Sequence, residues 1–226
     1  MNTRTLDEKS LKSINYGDQM IQKIQGYMKD KFPEYWSNIN IRFELGEPYR
    51  NGSKRRINQV NKRVKTLFEE LFKPTDTIYV LIKDWGSYED PMFGNTTPEY
   101  LYELFKGITM EETTLYDIDE DEDEDGNNIE VKIEYKFKVL SGVVSSIPYK
   151  EIFEGISHYE QGREPSIGQR VFFLSQEKDI LFHMYDDRGC IAHAVSKEHL
   201  SALYVKYNDW IVNYWREYFD GIFKEE

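Results

Sequence analysis

Apolar and polar positions along this chain repeat with two different periods, and the changes of period mark its elements. Residues Leu6–Phe32 carry Leu11, Ile14, Met20, Ile21, Ile24 and Met28 near helical spacing. This predicts a helix weakened at Gly17 and Gly26 and ended by Pro33. Segment Ile39–Leu45 alternates strictly, the pattern of a half-buried strand. Ser53 is a good N-cap for a helix to Phe72, whose apolar stripe is Ile57, Val60, Val64, Leu67, Phe68 and Leu71. Segment Thr77–Trp85 opens with β-branched, almost continuously apolar residues, which predicts a central strand covered on both faces.

Thr97 before Pro98 predicts a helix start, running to about Phe105. Thr113–Ile118 and Ile129–Leu140 read as two strands of a hairpin, and Tyr149–Tyr159 as a short helix. Arg170–Leu174, Ile180–Met184 and Cys190–Val195 form a three-strand meander. Its second turn, Tyr185–Gly189, is expected to use Gly189 at positive φ. Ser196 is expected to cap a helix to about Tyr207. Asn208 or Asp209 would cap a last helix to Phe223, with Ile211, Tyr214, Trp215, Tyr218 and Ile222 as a core stripe. The expected fold is α+β: a mixed or antiparallel sheet with a C-terminal three-strand meander followed by two helices. Residues 1–33 read as an N-terminal helical extension. Residues 34–226 read as one domain with a disordered acidic hairpin tip near 117–128.

Composition changes this picture in three ways. The 226 residues include 17 Tyr, 13 Phe and 4 Trp, enough to build a large core despite a mean hydropathy of -0.69. No stretch approaches the roughly 20 apolar residues of a membrane span, and Met1–Leu11 lacks the apolar run of a secretory signal. A lone cysteine, Cys190, excludes an internal disulfide, so a cytoplasmic location is expected, with Cys190 as a small buried hydrophobe. The net charge of -12 disfavours nucleic acid and suits a protein that covers a basic partner.

Three groups of residues carry candidate chemistry. Asp121, Asp123, Asp125 and Gly126 match the first half of an EF-hand loop. Lys132 stands where the bidentate Glu belongs, so no metal is expected; these acids are candidate contacts for a basic partner. Arg55 and Lys62 lie on a basic helix face with Lys65, opposite the apolar stripe, a candidate anion surface or simply a face paired with the protein's own acids. Asp186, Asp187 and Arg188 share a tight turn, where carboxylates either bind a ligand or accept bonds from the turn backbone. His183 and His193 flank that turn and read as half-buried structural residues. The sequence has no phosphate loop, nucleophile elbow or zinc-type spacing, and its balance is against an enzyme; no cofactor is expected.

Several of these segments resemble one bacterial family, the domain of unknown function number 3885. They are Arg170–Leu174, Tyr185–Gly189, Leu203-Tyr204 and Tyr207–Ile211, with Arg56–Val60 and Asp76–Val80 earlier in the chain. The resemblance implies no activity. The family pattern carries an Asp two residues after the turn glycine and another shortly after the Trp-Ile pair, where this chain has Ile191 and Asn213. The leading functional expectation is an acidic binding protein that neutralises a protein partner, such as a basic toxin, in the manner of an immunity protein. The alternative is an enzyme or small-ligand-binding domain built around Asp186, Asp187 and Arg188. A deep pocket beside that turn favours the alternative, and a flat surface there opposes it.

Overall fold

The computed structural model describes residues 17–33, 39–86, 97–122 and 128–224. Its elements run α1 (Gly17–Lys31), β1 (Ile39–Glu44), α2 (Lys54–Leu71), β2 (Thr77–Asp84), α3 (Tyr100–Leu104), β3 (Glu111–Glu122) and β4 (Asn128–Val143). They continue as α4 (Tyr149–Tyr159), β5 (Arg170–Ser175), β6 (Ile180–Met184), β7 (Gly189–Ala194), α5 (Glu198–Lys206) and α6 (Arg216–Phe223). One seven-stranded sheet has the order β1-β7-β6-β5-β2-β4-β3, and every neighbouring pair is antiparallel. The fold is therefore α+β, with the meander β5–β6–β7 inside the sheet and helices after it. Among the described residues no helix is long and apolar enough to cross a membrane.

The first face of the sheet carries the main core. Ser53 caps α2 as expected: it is extended, and its Oγ accepts from Arg56 N at 3.2 Å. The α2 stripe buries Val60, Val64, Leu67 and Phe68 completely. Phe68 meets Phe153 of α4, Phe173 of β5 and Phe182 of β6 edge-on at 5.0–5.8 Å, the geometry ring quadrupoles favour. On the second face, Ile21 and Ile24 of α1, with Phe32, pack with Leu81, Phe137, Val139, Leu174 and Leu181. Glu111 Oε2 accepts from Met20 N and Ile21 N, both at 3.1 Å, placing a carboxylate near the positive end of α1. The helix set apart in the sequence as an extension thus packs on the sheet.

Five local expectations are corrected. The continuous helix over 208–223 is instead two 3-10 turns, Asn208–Trp210 and Asn213–Trp215, followed by α6. Ile211 leaves the helix to bridge Phe43, and Val212 N donates to Arg42 O at 3.0 Å, so pairing with the edge strand outweighs local helix preference. The expected core stripe consequently splits: Ile211 is buried, whereas Tyr214 is 85% exposed and Trp215 and Tyr218 are nearly half exposed. Ser196 makes no cap; the cap position of α5 is Lys197, and Ser196 Oγ bonds Glu198 instead. Thr97 likewise serves as a loop anchor, its Oγ1 accepting from Ser166 N at 2.9 Å, while α3 begins at Tyr100. In the acidic hairpin the ladder pairs Asp117 with Ile133 and continues to Glu122 opposite Asn128, deeper into the tract than the tip expected near 117–128.

Gly189 is the fifth case. It is not among the glycines at positive φ, so the turn does not need its conformational freedom. It needs the absence of a side chain: a Cβ there would strike the Tyr185 hydroxyl and lie 2.6 Å from the Phe43 carbonyl oxygen. Gly189→Ala is expected to cost about 1–3 kcal/mol through overpacking against backbone. Urea unfolding of the variant measures it, and a loss below about 0.5 kcal/mol would show that the turn shifts freely.

Candidate ligand cleft and the Tyr185–Gly189 turn

Tyr185–Gly189 reverses the chain between β6 and β7, closed by Tyr185 N donating to Gly189 O at 3.2 Å. Asp186 is 5% exposed and spends its carboxylate locally. Its Oδ1 accepts from Arg188 N at 2.7 Å and its Oδ2 from Arg188 Nε at 2.8 Å. Arg188 also reaches Glu160 at 3.3 Å. Its own pKa is pushed up, first by the hydrogen bond to Asp186 and against the effect of burial.

Asp187 faces elsewhere. It forms a buried ion pair with Arg56 of α2, the two side chains being 1% and 4% exposed. Arg56 Nη1 also donates to Tyr49 O at 3.0 Å. Gly46 leaves room for that guanidinium, since a Cβ there would run into it. Asp187 thereby fastens the turn to the start of α2.

Glu160, Asp186 and Asp187 converge, with one oxygen of each within 4.8 Å of the others. Burial raises the Glu160 pKa, Asp186 raises it further, and Arg188 opposes both. Such a cluster has the donors for a hard cation. Arg56 and Arg188 already pair with these carboxylates, however, so an ion would have to displace them.

Beside this turn a cleft of about 810 Å³ runs along the second face of the sheet. Its floor follows from strand register. Arg42 (β1), Ile191 (β7), His183 (β6), Phe172 (β5) and Leu81 (β2) are successive cross-strand partners. One step along, Arg170 of β5 pairs with Lys83 of β2. Phe172 and His183 stack at 4.2 Å. Burial first, then the charges of Arg170 and His193, pushes the His183 pKa down to about 3. Burial alone pushes His193 down to about 4. Both imidazoles are therefore neutral at physiological pH, and the floor beyond Arg42 is an uncharged row of Ile191, His183, Phe172 and Leu81.

The rim is cationic. Arg42 donates from Nε to the Tyr185 hydroxyl at 2.8 Å and lies 4.7 Å from that ring's centre. The Arg170 guanidinium sits 5.0 Å over the Trp85 ring. Lys83 is paired with Asp117 at 3.1 Å. Among the described residues neither Arg42 nor Arg170 forms an ion pair, although the chain as a whole carries -12.

The residues singled out in the sequence do not all meet here. Asp186 and Arg188 line the cleft, while Asp187 lies behind it with Arg56. Arg55 and Lys62 are exposed on α2, which packs on the first face. Asp121 lies on β3 opposite Ile129, and Asp123 and Asp125 lie outside the described residues. Sequence reasoning missed Arg42, Arg170 and Glu160. The available signal was strand alternation: Arg42 shares a face with Asn40, opposite the apolar Ile41 and Phe43, and Arg170 shares one with Phe172.

Comparison with known proteins places the chain in a family. The chain is 36% identical over 70 residues to the "Uncharacterized protein YnaE" of Bacillus subtilis (strain 168), a match covering 28% of this chain and 33% of that protein. The match thus spans about a third of that relative's length. No solved structure matches. The family model "Domain of unknown function (DUF3885)" matches residues 24–215, from α1 through the whole sheet to the second 3-10 turn, and the chain belongs to that family.

Proposed function

We propose that this protein is a ligand-binding domain whose site is the cleft on the second face of the sheet, beside the Tyr185–Gly189 turn. The observation that carries this reading is the combination of volume and charge. About 810 Å³ lies over an uncharged floor, with Arg42 and Arg170 on its rim lacking carboxylate partners among the described residues. Small-ligand sites have this composition: apolar walls, few polar groups, and roughly 300–1,000 Å³ of space. The two arginines stand on strands three places apart, roughly 14 Å at about 4.8 Å per strand. A ligand touching both is extended, and a negative group suits either end. The Asp186 and Asp187 carboxylates act as supports, because their acceptor positions are taken by Arg188 and Arg56.

Thermal unfolding tests this with fractions of a small-molecule extract and a panel of organic anions. A ligand at a hundred times its Kd contributes about 2.7 kcal/mol, or a rise in Tm of about 5–10 °C for a chain of this size. Arg170 is exposed, so Arg170→Ala is expected to keep the unliganded Tm and lose that rise. If nothing raises Tm, or Arg170→Ala responds as fully as the parent, the reading fails.

A second reading, the neutralising of a basic protein partner, draws on the β3–β4 hairpin. Among the described residues β4 pairs with β2 over Lys136–Val143, and residues 128–135 pair with β3 and extend past β2 as a two-stranded ribbon. Tyr116 and Ile118 on this ribbon are 58% and 63% exposed. Exposed apolar residues on a projecting edge suit strand-to-strand or surface recognition. A stoichiometric basic partner that co-purifies with the parent chain and is lost with Tyr116→Ala and Ile118→Ala supports this reading. A partner retained by the double variant argues against the ribbon.

A further inference from the structure

The exposed aromatics at the C-terminal end lie where the cleft meets the edge strand. A smaller cavity of about 310 Å³ opens there, lined by Asn40, Arg42, Ile191, Trp215, Tyr218 and Phe219. It shares Arg42 and Ile191 with the larger cleft. Phe219 is buried and forms its back, while Trp215 and Tyr218 stand 6.5 Å apart, ring edge to face, and remain 43% and 46% exposed.

These walls are fixed in advance. Ile211 bridges Phe43, and Val212 N bonds Arg42 O, so the segment is pinned to β1. Arg216 braces the turn, donating to Asn208 Oδ1 at 2.7 Å and to Ile211 O at 3.1 Å. Arg42 is held as well, because its Nε is engaged by Tyr185. Its terminal nitrogens have no protein partner among the described residues. A guanidinium fixed through Nε presents a planar fork, the shape that recognises a carboxylate. Two partly exposed rings beside it, set edge to face, offer aromatic surface for a third ring to pack against.

We propose that this annex is a subsite for a small organic anion carrying an aromatic ring: the ring packs into the cavity against Trp215, Tyr218 and Phe219, and the acid group sits on Arg42. The proposal rests on the ligand-binding reading of the cleft and names the chemistry of one end of the ligand. The unpaired arginine requires the negative charge, and the volume, at the small end of the range for ligand sites, suits one ring system.

The test uses the full chain and three probes, indole-3-acetate, indole-3-acetamide and acetate, read by calorimetry and by chemical-shift changes of the Trp215 indole N–H. Indole-3-acetate is expected to bind at least tenfold more tightly than the amide, and acetate more weakly still. Trp215→Ala, at an exposed position that should leave folding intact, is expected to weaken indole-3-acetate at least tenfold. Arg42→Gln is expected to remove the preference for acid over amide. Equal affinity for acid and amide, or unchanged binding in Trp215→Ala, overturns the proposal. If no indole probe binds but anions still raise Tm through Arg170, this inference falls alone; if neither occurs, the cleft reading falls with it.

Discussion

Asp187→Ala is expected to destabilise the protein by about 3–5 kcal/mol, because it strands the Arg56 guanidinium in the interior. That is a large part of the roughly 5–15 kcal/mol that holds most domains folded. At 4% and 1% exposure, solvent screens the pair little. Asp187→Asn should cost nearly as much, since the amide keeps a hydrogen bond but leaves the charge unbalanced. Replacing both partners, Arg56→Met with Asp187→Leu, should recover much of the loss, because the cost lies chiefly in the unpaired charge. Urea unfolding of the single variants and the double variant measures the coupling. If Asp187→Ala costs below about 1 kcal/mol, the turn is not anchored through this pair. The same experiment separates structure from binding in the Tyr-Asp-Asp-Arg-Gly turn: a folded double variant that keeps ligand affinity assigns Asp187 to support.

Acid is expected to weaken the fold well before carboxylates in general protonate. His183 and His193 have folded pKa values pushed down to about 3 and about 4, against about 6.5 unfolded. Below pH 6.5 the unfolded chain therefore binds more protons at these positions than the folded one. Their contribution is complete above pH 6.5 and declines as pH falls through the window down to about 4 and then 3. At pH 5, about 1.5 units into the window, each costs about 2 kcal/mol. Glu44 and Glu160, raised chiefly by burial, act in the opposite sense and gain as pH falls. The variants isolate the histidines: between pH 7.5 and 5.0, His183→Gln with His193→Gln should lose about 4 kcal/mol less than the parent. Parallel losses in the two proteins would mean that the imidazoles are solvated.

The elements whose faces are set by local pattern were legible in the sequence. Strict alternation over Ile39–Leu45, the continuous apolar run after Thr77, the α2 stripe with its Ser53 cap and the three meander strands all stand where their periods put them. Backbone geometry alone imposes those periods, and burial rewards them whatever the partner. The turn Asp186 also behaves as its residue type predicts, accepting from the backbone two residues on.

What the tertiary structure decided depends on residues far apart in the chain. A helical stripe runs through 208–223, yet Ile211 departs to meet Phe43, and the rings expected in the core become the wall of a cavity. Arg56 follows the exposed Arg55 in the first turn of α2, yet Asp187, 131 residues away, holds it in the interior. Gly189 is required for a contact with Phe43 and not for its own dihedral freedom. The cleft itself exists only because register aligns Arg42, His183 and Phe172 across four strands and brings Arg170 beside that row. Period and propensity are properties of neighbours in sequence, whereas register and charge pairing arise only when strands and helices have chosen their partners.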